Sequence, residues 1–112
     1  MFKPMLHNSE EIVDFVFEFA TSPLDEELVF EYFQGCSGIL KYIPIENLEE
    51  GNENQNIRSR KKENLYFSLP SSTMPPLIVE DNKVIDGNHR LRVARQKGIS
   101  IVAIYDIVPI KL

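Results

Sequence analysis

Apolar residues recur at two different periods along this chain, and the change of period marks out its elements. From Asn8 to Ala20 the apolar set is Ile12, Val13, Phe15, Val16, Phe17 and Phe19. This covers more than one face of a helix and predicts a largely buried helix over 8–20. Asn8 is placed to cap it, and Glu11 stands three positions on, the spacing of a capping box. Ser22-Pro23 restarts the pattern, with Ser22 as N-cap, Pro23 in the first turn and the acids Asp25 to Glu27 at the positive end. Leu24, Leu28, Val29, Tyr32 and Phe33 form its stripe, and Gly35 ends it. Residues 1–36 are therefore predicted to be a helical hairpin.

The period then shortens. Ile39 to Ile45 is β-rich and predicts a strand, with Pro44 suited to an edge or a strand end. Glu49 to Lys62 is polar, with Gly51, Asn52, Asn54, Gln55 and Asn56 before the basic run Arg58-Ser-Arg60-Lys61-Lys62. It reads as a loop, and the stretch up to residue 74 has no clear element. Leu77–Glu80 and Lys83–Asp86 are short β-branched runs separated by Asp81-Asn82, a two-residue hairpin signal. His89 to Lys97 predicts a helix with Leu91 and Ala94 inward and Arg92, Arg95 and Gln96 outward. Gly98 closes it, and Ser100 to Val108 is a final strand. The expected architecture is α/β: one domain over 1–112, in which the helical hairpin of 1–36 precedes a small mixed sheet with packed helices over 37–112.

Composition narrows the class. Hydrophobic residues make up 43% and charged residues 26% of 112, normal for a globular domain that folds without a metal or a disulfide. The single cysteine, Cys36, allows no internal disulfide and fits a reducing compartment. The N-terminus lacks the apolar core of a signal peptide, and no apolar run approaches the ~20 residues of a membrane span. The expectation is a cytoplasmic protein with no membrane partner. The net charge of −5 argues against general nucleic-acid binding, and no sequence-specific DNA binding is expected. That charge is unevenly spread. Residues 1–36 carry one base and eight acids, whereas residues 81–112 carry six bases and three acids. An anion site belongs in the last third, and the acidic helices suit a protein partner.

One segment carries chemistry. Asp86-Gly87-Asn88-His89-Arg90 lies between a predicted strand and a predicted helix. The first turn of a helix has N–H groups without intrahelical acceptors and a partial positive charge, so it attracts phosphate. Gly87 allows a close approach. Arg90, taken as a first-turn side chain facing an opening with few core contacts, can hold a phosphate by two parallel hydrogen bonds. His89 can donate a hydrogen bond or move a proton. Asp86 can orient His89, cap the helix or hold a metal through oxygen. The same residues also suit a plain Asp-Gly turn followed by solvated side chains.

The stretch from Pro75 to Gly98, followed by Ile101-Val-Ala-Ile-Tyr105, resembles the core of the ParB/sulfiredoxin superfamily. Tyr42-Ile-Pro-Ile-Glu-Asn-Leu48 and Asn56-Ile-Arg58 resemble the opening of ParB N-terminal domains, so the resemblance spans about residues 40–108. It implies that the turn binds the phosphates of a nucleotide: CTP in chromosome-partition proteins, ATP in sulfiredoxins, ADP or ATP in free-serine kinases. By position, Gly87, Asn88, His89 and Arg90 match the phosphate-binding residues, and Arg58 matches the arginine of the upstream box. The implied ligand is a nucleoside triphosphate with Mg2+. The implied activity is NTPase, phosphotransferase or nuclease, with His89 and Asp86 as catalytic groups. Asn88 stands where sulfiredoxins carry their catalytic cysteine, which removes sulfinic-acid reduction. Partition proteins continue into a helix-turn-helix domain, whereas this chain stops at Leu112. Glu50 or Glu53 would take the place of the kinases' catalytic glutamate.

Two functions therefore stand open. One is a nucleotide-binding enzyme. The other is a non-catalytic or regulatory module acting on a protein partner or DNA. Outside the turn, His7 is expected to be a disordered terminal residue and Cys36 a packed small residue. No His/Cys cluster has zinc spacing.

Overall fold

The computed structural model describes residues 2–19, 25–51 and 74–110. The expectations for Ser22, Pro23, Leu24 and the segment 52–73, Glu53 and Arg58 included, lie outside them. Five strands form one mixed sheet: β1 (Met5–Leu6), β2 (Cys36–Pro44), β3 (Leu77–Glu80), β4 (Lys83–Asp86) and β5 (Ile101–Pro109), in the order β1-β2-β5-β3-β4. β2 and β5 pair antiparallel along their whole length, from Cys36 opposite Pro109 to Pro44 opposite Ile101. β3 runs parallel to β5 and antiparallel to β4. Pro44 is the last residue of a strand that sits inside the sheet, where its missing N–H costs no ladder bond further on.

The hairpin β3–β4 falls on the predicted residues. Asp81 and Asn82 have φ of 51° and 64°, the left-handed pair of a type I′ turn, and these two residue types tolerate it best. Helix α1 (Ser9–Phe19) starts as predicted, with the N–H of Glu11 donating to Asn8 Oδ1 at 3.0 Å. The return half of the capping box is shifted by one residue, because Glu11 Oε2 accepts from the N–H of His7 at 3.2 Å. His7 is thus an ordered part of the α1 entry, contrary to the disorder expected of it. Burial pushes the Glu11 carboxyl up, but the hydrogen bonds from His7 and the charges of His7 and Lys3 outweigh it and hold it below the usual range.

Helix α2 (Glu26–Tyr32) is capped by Asp25, whose Oδ1 accepts from the N–H groups of Glu27 and Leu28. The stripe predicted for it is corrected: Phe33 is buried and Val29 half-buried, but Leu28 and Tyr32 are exposed. Seven residues cannot bury a face that α1 has already filled. Helix α3 (Asn88–Gln96) follows β4, and Gly98 closes it at φ 70°.

The sheet separates two cores, because side chains alternate across a strand. On one side Tyr105, Ile107 and Ile78 meet Ile12, Phe15 and Val16 of α1. On the other, Val102, Ile104, Leu77 and Val79 meet Leu91 and Ala94 of α3. β3 is buried on both faces. Met5–Leu6 adds a strand that was not predicted: two residues give no readable alternation, and their pairing with Ile39 and Gly38 depends on a partner more than thirty residues away.

Candidate functional site: the turn entering helix α3

β4 delivers the chain to Gly87, which has φ 108° and serves as the N-cap of α3 without any side-chain cap. The first intrahelical bond runs from the N–H of Leu91 to the carbonyl of Gly87 at 2.9 Å, so the N–H groups ahead of it have no intrahelical acceptor. Gly87 holds the N-cap position, so the capping role that the sequence allows Asp86 is not taken up. Asp86 Oδ2 lies 3.3 Å from Nη2 of Arg90, one turn on.

Arg90 also differs from expectation. It is 2% exposed, and its Nη1 donates to the carbonyl of Pro76 at 3.1 Å. Its guanidinium lies 5.8 Å from the Phe19 ring centre. A methyl group on Gly87 would come within 2.7 Å of Arg90 Nη2 and 2.8 Å of Leu77 Cδ2. Gly87 is needed here because its own helix's arginine folds back beneath it. Arg90 is therefore a packed tie between α3, β4 and the approach to β3, and not a side chain with few core contacts. It also forms part of the wall of a mostly apolar hollow of about 650 Å3 bounded by Leu40, Tyr42, Pro75, Pro76 and Ile101.

Asn88 is 1% exposed. Its Oδ1 accepts from the N–H of Gly51 at 3.1 Å, while its Nδ2 is buried without a hydrogen-bond partner among the described residues. Sequence reasoning placed Asn88 in the turn but not its link to Gly51, which lies 37 residues away. That link is fixed by the segment before it. The N–H of Glu49 donates to the carbonyl of Asn82, and the N–H of Val84 to that of Glu49, each at 2.9 Å. Gly51 then packs so closely on the Val84 carbonyl that no side chain fits.

His89 is half-buried in the first turn of α3. Glu50, a candidate for a catalytic acid, lies on the side of α3, with Oε1 3.2 Å from Nε of Arg92 and 3.6 Å from Nη1 of Arg95. Arg92, expected outward, has a mostly covered side chain. Arg95 additionally donates to the carbonyl of Leu48 at 2.9 Å. Among the described residues no group of three His, Cys, Asp or Glu side chains converges to hold a metal ion. Burial, and then the charge of Glu80, push the Cys36 thiol up, which disfavours the thiolate a nucleophile needs. No helix among the described residues is long and apolar enough to cross a membrane.

No family model matches the sequence, and no curated protein matches it. Solved structures do. The C2221 form of a Pnob8-like ParB-N domain matches over 64% of this chain, and a second structure of the pNOB8-like ParB N-domain over 78%. Each match has 26% identity and a TM-score of 0.54. This chain spans 30% of the length of each of those chains. With its mixed five-stranded sheet and these structural neighbours, the chain has a ParB N-terminal-like fold.

Proposed function

We propose that the chain is a ParB-like nucleotide-binding domain that seats a phosphate at the N-terminus of α3. The observation that carries this is the buried Nδ2 of Asn88, which has no hydrogen-bond partner among the described residues. A donor left in that state costs roughly 1–3 kcal/mol. A phosphate oxygen at the helix end would accept from it, and the macrodipole would favour the charge. Gly87 keeps the approach clear of a side chain, and His89 lies beside it in the first turn. Arg90 contributes positive charge from beneath, and Arg58 belongs to the proposal through its place in the upstream box. The ligand is a nucleoside triphosphate, ATP or CTP. Its Mg2+ would arrive held by phosphate oxygens and water, the usual state of that ion.

For the enzymatic form of this reading, His89 moves a proton and Asp86 orients the site. A sensor form, which binds without turnover, is favoured by one observation: Asp86 is tied to Arg90 and Glu50 to Arg92 and Arg95. Each carboxylate would have to give up an ion pair before it could act on a substrate.

Asn88→Asp separates function from folding. The aspartate keeps an oxygen for the Gly51 N–H and replaces the free donor by a negative oxygen. At the first position of a helix it is also favourable to the dipole. The helix dipole offsets only part of the cost of burying that charge, so the melting temperature is expected to fall modestly, and ATP or CTP with magnesium, which should raise the wild-type melting temperature, should not raise that of the variant. A nucleotide at 100 times its Kd adds about 2.7 kcal/mol, well within the range of a thermal-shift assay. No shift with any nucleotide in the wild type would overturn the reading. Release of inorganic phosphate decides between the enzyme and the sensor.

A further inference from the structure

A second surface adjoins the turn, touching it at Asp86 and Gly51, but what it offers a partner does not depend on nucleotide binding. Helix α2 buries none of its seven residues. Leu28 is 63% and Tyr32 55% exposed, one turn apart on the same side. Beneath them a groove of about 280 Å3 is lined by Val16, Val29, Phe33 and Ile85, so α1, α2 and β4 all contribute. Tyr32 borders this groove and also a second hollow of about 440 Å3, whose rim carries Glu49, Glu80 and Asp81 with Lys83. Tyr32 and Glu80 line that hollow together, and burial and then the charge of Glu80 push the pKa of the Tyr32 hydroxyl up. An apolar trough thus opens directly into an acidic one. Asp25, Glu26, Glu27 and Glu31 stand exposed on α2, and residues 4–36 contain no lysine or arginine.

We infer that this face docks a basic amphipathic helix of a partner polypeptide. Its apolar side would enter the groove between Leu28, Tyr32 and Ile85, and its lysines or arginines would reach Glu49, Glu80 and Asp81. The charge selects the class of partner, since acidic banks repel the phosphates of nucleic acids and of anionic membranes. The backbone selects the form. β4 is the last strand of the sheet, but its outer edge at Asn82 and Val84 is taken by Glu49. An added strand has no ladder to join there, whereas a helix binds such a groove through side chains at i, i+3, i+4 and i+7.

The test is an amide-resolved NMR titration of the whole chain. The probe is a peptide of about 15 residues with leucines at i, i+3, i+4 and i+7 and lysines on the flanks. Shifts are expected to concentrate at Val16, Leu28, Val29, Tyr32, Ile85 and Glu80, and to weaken as salt rises. Leu28→Glu, at an exposed position that leaves the melting temperature intact, should weaken binding by about tenfold or more, as loss of a central apolar anchor does. Glu80→Lys should weaken binding of the lysine-flanked peptide and flatten its dependence on salt. The proposal is overturned by a scrambled peptide of the same composition that binds equally well, or by the absence of shifts in the groove. Shifts at Leu28 and Tyr32 that follow protein concentration without peptide would assign the face to a second copy and would overturn it too.

Discussion

Arg90 holds a full charge at 2% exposure, and what surrounds it explains why the residue is tolerated there. The Pro76 carbonyl and the Asp86 carboxylate accept from its guanidinium, and the Phe19 ring lies nearby. A buried cation persists only with such partners. Arg90→Ala removes the donor from the Pro76 carbonyl and opens a void under Gly87. The expected loss is about 2–4 kcal/mol, from the unmade hydrogen bonds and the cavity together. Arg90→Lys should recover part of it, because the ammonium keeps the charge but cannot reach two acceptors in a fixed fork. Chemical denaturation of the three proteins measures this. An alanine variant as stable as wild type would return Arg90 to the solvated role that its first-turn position suggests.

At the scale of elements, the two short N-terminal helices begin by the same device, a side-chain oxygen accepting from first-turn N–H groups. α1 adds a second bond, in which Glu11 reaches back to His7. Because the folded chain holds the Glu11 carboxyl below its ordinary value of 4.5, its contribution is complete above that value. It is lost as pH falls through the lower, folded-state value. Glu11→Gln should therefore melt earlier than wild type at neutral pH, and the gap should close on acidification. Paired thermal melts over a pH series follow the difference. A gap that widens towards acid pH would mean that Glu11 is not stabilised in its charged form. In α3 the N-cap is a left-handed glycine with no capping side chain, whereas α1 and α2 are capped by side chains of their own.

Across the whole molecule, one strand joins the two cores. Ile78 faces α1 and is fully buried, while its neighbours Leu77 and Val79 face α3. Ile78→Ala should cost about 2–5 kcal/mol, the range for truncating a buried aliphatic side chain. Because the hairpin that carries Ile78 also carries the turn into α3, any nucleotide response should weaken with it. Global unfolding measured with and without nucleotide tests the coupling. A loss below about 1 kcal/mol would mean that the α1 layer is not packed on β3 as described.

Local chemistry was enough to read the hairpin at Asp81-Asn82, the cap at Asn8, the stop at Gly98 and the Gly87 turn. Each depends on residues within four positions of one another, and there backbone sterics and short-range hydrogen bonds decide the outcome. The resemblance over residues 40–108 likewise carried the fold class, because the order strand, hairpin, turn, helix, strand is itself a local sequence of signals. Four features were settled by contacts between distant parts of the chain. Met5–Leu6 became a strand because β2 offered it an edge. Leu28 and Tyr32 stayed outside because α1 had already covered the sheet. Arg90 turned inward because Pro76 supplied a carbonyl fourteen residues upstream. Asn88 gave its Oδ1 to the Gly51 N–H, while its Nδ2 has no partner among the described residues. The amino-acid sequence by itself fixes which residues stand at the turn. Whether each of them points to solvent, to the core or to a ligand is decided by the surfaces that packing brings against them, since burial sets the cost of every unsatisfied polar group.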